Sequence, residues 1–310
     1  KPDIVIASST YPLDIYPAHK IAKAAGGKLV FELHDLWPLS PMELNGYSKN
    51  HPFIVIMQRG EDYACKHSDA IVSLLPRADM HLVERGMAKE KFHWVSNGIV
   101  KEDWDKTEPI PELMEMELNK YKEEGQFLIG YAGNHGDANS LDSFIDVVAG
   151  LKDKKIMGIL VGTGAKKDYF VKKVASEGIT NVKFFDPIGK PQIPDFLSHL
   201  DCLYNGVKNI SLFRFGTSFN KIYDYMMAGK PIICAVTAPN DTVGDAGCGY
   251  SIEGENDEAL REAILKLYQM TEEERKIMGD NGKRVVMEEY EYTALSRKFM
   301  NILEEVKGEN

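Results

Sequence analysis

Asn220, Lys221 and Asp224 interrupt an otherwise apolar run, Phe219-Asn220-Lys221-Ile222-Tyr223-Asp224-Tyr225-Met226. In a helix Asn220 and Asp224 are four apart and Lys221 and Asp224 three apart, so an amide, an ammonium and a carboxylate share one face. Phe219, Ile222, Tyr223 and Met226 recur at the spacing of a core-facing stripe. Thr217 or Ser218 supplies an N-cap, and Gly229 with Pro231 supplies a stop before a strand. Free N–H groups and the positive dipole end of such a helix favour a phosphate beside Ser218 and Asn220. Lys221 adds a full charge, and Asp224, one turn on, accepts hydrogen bonds from sugar hydroxyls. The plainer reading of the same residues is a helix start with a structural Lys–Asp pair inside a Rossmann-type domain.

Other stretches carry potential chemistry. Gly133-Asn134-His135-Gly136 follows an apolar strand, Phe127–Ala132, and precedes a helix bearing Leu141, Phe144, Ile145 and Val148. It lacks the GxGxxG spacing of a dinucleotide fingerprint, but its glycines permit a phosphate to approach the backbone at a helix start. Glu32-Leu33-His34-Asp35 ends another strand, where ligands bind in open parallel sheets; by itself His34-Asp35 also fits a helix cap. Asp103-Trp104-Asp105 has the spacing of a metal-binding Asp-x-Asp, yet it lies in a charged linker and reads as a solvated stretch. No metal and no cofactor are therefore expected.

These residues need elements to hold them. The chain begins with a strand (Ile4–Ser9), a helix (Ala18–Ala25) and a strand (Lys28–Leu33), and the βα alternation persists to Phe92–Val95. Glu102–Glu124, with Pro109 and Pro111, reads as a linker and an exposed helix; the alternation then restarts at Phe127. The expectation is an α/β protein with two Rossmann-like domains: residues 1–108, residues 109–287, and a C-terminal amphipathic helix (288–310) packing back on the first domain.

Composition narrows the partners. The 310 residues are 44% hydrophobic and 27% charged, enough for two ordinary cores. A net charge of −10 argues against a general nucleic-acid binder. The four cysteines, Cys65, Cys202, Cys234 and Cys248, show no CxxC spacing and fit a reducing cytoplasm. No apolar run approaches the roughly 20 residues of a membrane span, and the start reads as having no leader. Arg59, Arg77, Arg85, Lys89 and Lys91 make the first half comparatively basic. A solvated surface accounts for that, with peripheral contact to anionic lipid left open.

The run Ser218-Phe219-Asn220-Lys221, preceding an aromatic, an acid, Tyr and Met-x-Ala-Gly-Lys-Pro, resembles the donor-binding helix of glycosyltransferase family 4, in its bacterial polysaccharide branch. Asp35-Leu36-Trp37-Pro38, Asn97-Gly98 and Tyr131-Ala132-Gly133-Asn134-x-Gly136 resemble that branch at corresponding places, so the likeness covers nearly the whole chain. The resemblance implies a GT-B architecture, two Rossmann-like domains facing across a cleft, with the first domain incomplete because its first strands normally precede a Lys-Pro-Asp-Ile-Val segment. It implies transfer of a sugar, with retention, from a nucleotide sugar of the UDP class to a hydroxyl of a cell-envelope glycan or glycolipid, in the cytoplasm or at the inner membrane face.

By the same resemblance Lys221 meets the diphosphate, Asp224 the ribose and His34 the transferred sugar. Asp35 organises the cleft, Gly133, Asn134, His135 and Gly136 lie under the donor, and Ile188 meets the base. Many members carry a Glu eight positions before the ribose acid; Gly216 stands there instead. That departure motivates an alternative, a nucleotide-sugar-binding protein without catalysis. A UDP-sugar epimerase on the same architecture is a third reading.

Overall fold

The computed structural model describes residues 1–308. The first half runs β1 (Ile4–Ser9), α1 (Ile15–Ala25), β2 (Lys28–Leu33), α2 (Leu39–Asn45), α3 (Pro52–His67), β3 (Ala70–Ser73), α4 (Asp79–Glu84) and β4 (Phe92–Trp94). Continuous apolar runs such as Leu29-Val30-Phe31 and Ala70-Ile71-Val72 suit strands covered on both faces, the environment of a parallel sheet. The four strands pair in parallel in the order β1-β2-β3-β4, with Val30 opposite Ala70 and Ile71 opposite Phe92.

The second half holds α5 (Lys101–Asp105), α6 (Glu112–Glu123), β5 (Phe127–Ala132), α7 (Leu141–Ala149), β6 (Ile156–Val161), α8 (Lys167–Ser176), β7 (Val182–Phe185), α9 (Ile193–Ser198) and β8 (Cys202–Gly206). It continues through α10 (Asn220–Met227), β9 (Ile232–Ala235), α11 (Thr242–Asp245), β10 (Gly249–Ile252), α12 (Asp257–Gln269) and α13 (Glu272–Glu289), ending in α14 (Tyr292–Gly308). Its six parallel strands lie in the order β10-β9-β8-β5-β6-β7. The chain lays β5, β6 and β7 outward in one direction and then returns, placing β8 on the other side of β5. That reversal opens a crevice beyond the carboxyl ends of β5 and β8, where doubly wound sheets bind ligands.

Each sheet is covered on both sides. On one face of the first, Phe31 and Ile71 pack with Ala22 and Ala64; on the other, Val30, Val72 and Val95 pack with Leu295, Ile302 and Val306 of α14. The last helix thus completes the core of the first domain. The chain crosses between domains twice, side by side: Ile99 N–H donates to the Tyr290 carbonyl and Tyr292 N–H to the Ile99 carbonyl. α13 lies along α10, its Gly282 close to Met226 and the Tyr223 and Tyr290 rings 4.9 Å apart, which fixes the helix carrying Lys221.

Two local expectations change. The helix around Lys221 starts at Asn220 rather than at Thr217 or Ser218, and no side chain caps it. The hydroxyl expected to cap it is engaged elsewhere: Ser218 Oγ accepts the Asn97 N–H at 2.9 Å, and Asn97 Nδ2 donates to the Ser218 carbonyl at 2.8 Å. The Asp103-Trp104-Asp105 stretch is not a simple solvated run either. It forms α5; Asp103 pairs with Lys190, and Trp104 packs on the core of the second domain.

Candidate active site

At the switch point, β5 delivers Gly133-Asn134-His135-Gly136 and the segment after β8 delivers Ser218-Phe219-Asn220-Lys221. Gly133 has φ +150, a region that favours glycine, and a Cβ there would stand 3.2 Å from Lys221 Nζ. At Gly162, after β6, a Cβ would collide with the Gly133 carbonyl, so at that point the two loops meet backbone to backbone. The loop is tied down: Gly133 N–H donates to Val161 O at 2.9 Å, His135 N–H to Thr163 O at 2.8 Å, and Tyr131 Oη to Asn134 O at 2.8 Å.

Lys221 is half-buried with its Nζ 4.0 Å from the Tyr131 ring centroid. No carboxylate within ion-pair distance holds it among the described residues, and burial alone pushes its ammonium down to about 7. The structural Lys–Asp pair is therefore not formed. What stands there is a cation over an aromatic face, at a helix start with no side-chain cap. Asp224 lines the same cavity of about 390 Å³ as Lys221, Asn220 and Gly133. Burial raises its carboxyl above the usual range, and the Trp104 indole opposes that shift with a hydrogen bond.

Beside this lies a cavity of about 410 Å³, formed by Gly133, Asn134, the Gly162–Gly164 turn, Pro187 and Ile188. A third, of about 430 Å³, lies between the domains, with His34 and Asp35 on one wall and Thr217, Ser218 and Asn220 on the other. Asn220 joins the first cavity to the third, and Gly133 joins the first to the second. His34 Nε2 is 3.2 Å from Ser8 Oγ and 3.7 Å from Glu32 Oε2; burial raises the Asp35 carboxyl. Across the gap Arg214 grips Glu43 through its two terminal guanidinium nitrogens, at 2.9 and 2.7 Å, and holds the loop before α10 against α2.

A protein-family comparison places residues 115–285, more than half of the chain, in the family described as glycosyl transferases group 1. The chain belongs to that family. A curated relative, the Escherichia coli K12 protein WcaI, assigned as a glycosyl transferase of colanic acid biosynthesis, is 23% identical over 190 residues. The match covers 59% of this chain and 45% of WcaI, so the chain spans about half the length of that relative. Among solved structures, Anabaena HepE in complex with UDP superposes with a TM-score of 0.73 at 15% identity, over 98% of this chain and 79% of HepE. Sucrose-phosphate synthase of Thermosynechococcus elongatus gives 0.72 at 13%, over 99% and 74%. At that identity the likeness is one of fold, and the fold is GT-B.

Within this chain, Lys221, Asp224, Asn220, Gly133, Asn134 and Ile188 face connected cavities, and His34 and Asp35 face them from the first domain. Ser218 also borders the cleft, but its hydroxyl and carbonyl serve Asn97. His135 is fully buried between Tyr131 and Phe184, its backbone N–H and carbonyl taken by Thr163 and Lys166. Burial and then the Lys167 charge lower its imidazole to about 4, so it is a neutral packing residue rather than a cleft-facing one. Gly136 lies against the Asn134 side chain. Asn205, 2% exposed at the end of β8, shares the Lys221 cavity. Its sequence signal is an amide closing a buried strand, Cys202-Leu203-Tyr204-Asn205. Asn97 offers only a turn signal, and nothing local indicates its bond to Ser218.

Proposed function

We infer that this glycosyltransferase transfers a sugar from a UDP-sugar to a hydroxyl of a cell-envelope glycan or glycolipid, with retention at the anomeric carbon. One observation carries the reading: a desolvated lysine, with no carboxylate partner among the described residues, stands at the uncapped start of α10 against a loop that only glycine can form. A diphosphate placed there receives the ammonium and backbone N–H groups, which stabilise the charge that develops as the sugar–phosphate bond breaks. On this reading Asp224 holds the ribose, the Ile188 loop the base, and His34 with Asp35 the sugar from the opposite wall; their lining of adjoining cavities supports it. No step in this reading calls for a metal or a further cofactor.

The relatives support the donor class. HepE is solved with UDP and with UDP-glucose, and WcaI is assigned to colanic acid biosynthesis. Among the described residues no helix is long and apolar enough to cross a membrane. On this reading the enzyme works in the cytoplasm, reaching the inner membrane face as a peripheral protein. The test is mass spectrometry of UDP-glucose incubated with the protein, with and without a glycan or glycolipid acceptor. Transfer yields UDP and an acceptor heavier by one hexose, whereas untouched UDP-glucose in both tubes overturns it.

Gly216 favours a second reading. Its φ of +93 suits glycine, and the Pro76 ring occupies the space that a Cβ would take, so no carboxylate side chain fits there without rearrangement. A protein that binds UDP-glucose and leaves it intact would fit that feature.

A further inference from the structure

The segment between β8 and α10 belongs to the second domain by chain order, yet its middle is seated in the first. Phe215, 5% exposed, is part of the first-domain core with Leu36, Ile71, Ala78 and Leu82, and Leu212 packs against the same cluster. The Phe215 carbonyl accepts the Arg77 N–H at 3.0 Å. Its ring has a polar group on each of two sides: the Arg214 guanidinium carbon 4.3 Å from the centroid, and the His81 imidazole edge-on, with ring centroids 5.9 Å apart. Both are braced in turn. Arg214 grips Glu43 and holds its carboxyl below the usual range, while His81 Nε2 lies 2.9 Å from the fully buried Glu61 carboxylate.

The residues that follow carry this anchorage to the helix. At Gly216 a Cβ would meet the Pro76 ring and Asn240 Oδ1. Thr217 gives its N–H to Asn240 Oδ1 at 2.8 Å, and its carbonyl accepts Asn240 Nδ2 at 2.9 Å; Asn97 holds Ser218. The first domain, the second domain and the crossing between them thus each grip part of the run Phe215-Gly216-Thr217-Ser218, which ends just before the uncapped start of α10.

We propose that Phe215 is a positioning residue for the donor: seated in the first domain, it sets where the free N–H groups and Lys221 at the start of α10 stand to receive a diphosphate. The proposal rests on the transfer reading for the diphosphate, and on the seat of Phe215 for the coupling. The physical reason is stiffness. A close-packed core does not release an aromatic ring without losing its contacts, and the bonds at Phe215, Thr217 and Ser218 leave the run no slack to absorb a shift. Phe215 lines none of the three connected cavities, so a change there reaches UDP only through the run that it anchors.

Calorimetry of UDP on the whole protein reads the effect. Phe215→Ala is expected to weaken UDP about fivefold, the scale of one displaced hydrogen bond, and Phe215→Leu, which refills the seat, to restore affinity to within about twofold of wild type. Leu82→Ala empties the same core away from the run and is the control. It is expected to lower the melting temperature as Phe215→Ala does, yet to leave UDP affinity within about twofold of wild type. Hydrogen exchange gives a second reading: in Phe215→Ala the amides of residues 218–224 are expected to exchange faster while those of β5 hold, and in Leu82→Ala both are expected to hold. Should Phe215→Ala not fold, Glu43→Gln joined with Arg214→Gln removes the surface brace on the same run without changing net charge, and is expected to weaken UDP about threefold.

The proposal is overturned if Phe215→Ala, or in its place the double variant, leaves UDP affinity unchanged, if Leu82→Ala weakens UDP as much, or if Phe215→Leu is no better than Phe215→Ala. In each of those cases UDP binding that is weakened in Lys221→Met still stands as evidence for the donor site. If the wild-type protein fails to bind UDP, the transfer reading falls, and the exchange comparison still decides whether Phe215 holds the start of α10.

Discussion

Two loop–helix junctions at the open end of the second sheet each present a lysine, and their surroundings separate structure from chemistry. At the start of α8, Lys167 donates to the Gly162 carbonyl at 2.9 Å, the Phe185 carbonyl at 2.8 Å and Asp186 at 3.0 Å. Its charge is spent tying two turns together. At the start of α10, Lys221 meets the Tyr131 ring and, among the described residues, no carboxylate; burial holds its ammonium near the point of deprotonation. A satisfied cation stabilises the fold, whereas a desolvated cation without a counter-charge lowers stability and waits for an anion. His135 lies between the two, and both lysines depress its imidazole.

The largest expected contrast comes from neutralising each lysine in turn. Lys221→Met is expected to weaken UDP binding by about 2–3 kcal/mol, the scale of a lost charged hydrogen bond, with a melting temperature that holds or rises. Lys167→Met is expected to do the opposite: nearly unchanged UDP affinity after correction for folded fraction, and about 1–2 kcal/mol lost from stability, since carbonyls lose their donor. Calorimetry and thermal melts on both variants check this, and equal losses of affinity would erase the distinction.

The second effect is acid lability from His135. Its folded value of about 4 lies below the ordinary histidine value, so between the two the unfolded chain binds more protons and stability falls as pH drops. The loss by pH 4 is expected to be about 3 kcal/mol, and His135→Phe, matching its aromatic neighbours, is expected to flatten the denaturation profile over that window. A profile unchanged by the substitution would mean that the imidazole is hydrated.

Proton uptake gives a smaller signal. Lys221 titrates at about 7, so at pH 8 it is mostly neutral in the free protein, and a bound diphosphate restores its proton. Calorimetry of UDP at pH 8 in buffers of different ionisation heat is expected to show close to one proton taken up, absent in Lys221→Met and present in Lys167→Met. For the same reason the burden of Lys221 on folding eases as pH rises from about 7 toward the unfolded value near 10.4. Smallest is Asn97→Ala, which removes the side-chain bond to the Ser218 carbonyl and is expected to cost about 1 kcal/mol of UDP affinity by loosening the start of α10. UDP affinity equal to wild type would show that α13 alone positions the helix.

Particular residues show how far local pattern reaches. The stripe of Ile222, Tyr223 and Met226 locates α10 because burial at a spacing of three and four is a property of the helix itself, and all three are buried. Ser218 does not cap that helix, because a serine before a helix signals a cap only while its hydroxyl is free, and Asn97, 121 positions away, claims it. His135 shares a loop with Gly133 and Asn134, which do face the cleft, so its type and position suggest a ligand contact. Its side chain turns inward instead, because both its backbone groups bond to the loop after β6. For Asp103 and Trp104, nothing nearby in sequence can provide cover; Lys190 and the core of the second domain do so.

The amino-acid sequence by itself determined the alternation of strands and helices, the polar face of α10 and the residue types beside each strand end, because these follow from spacing along one element. The tertiary structure alone decided which lysine keeps its charge unspent, which serine is available and which loop side chains face the cleft. Solvent access and hydrogen-bond partners are set by groups brought together from distant parts of the chain, and no local pattern encodes them.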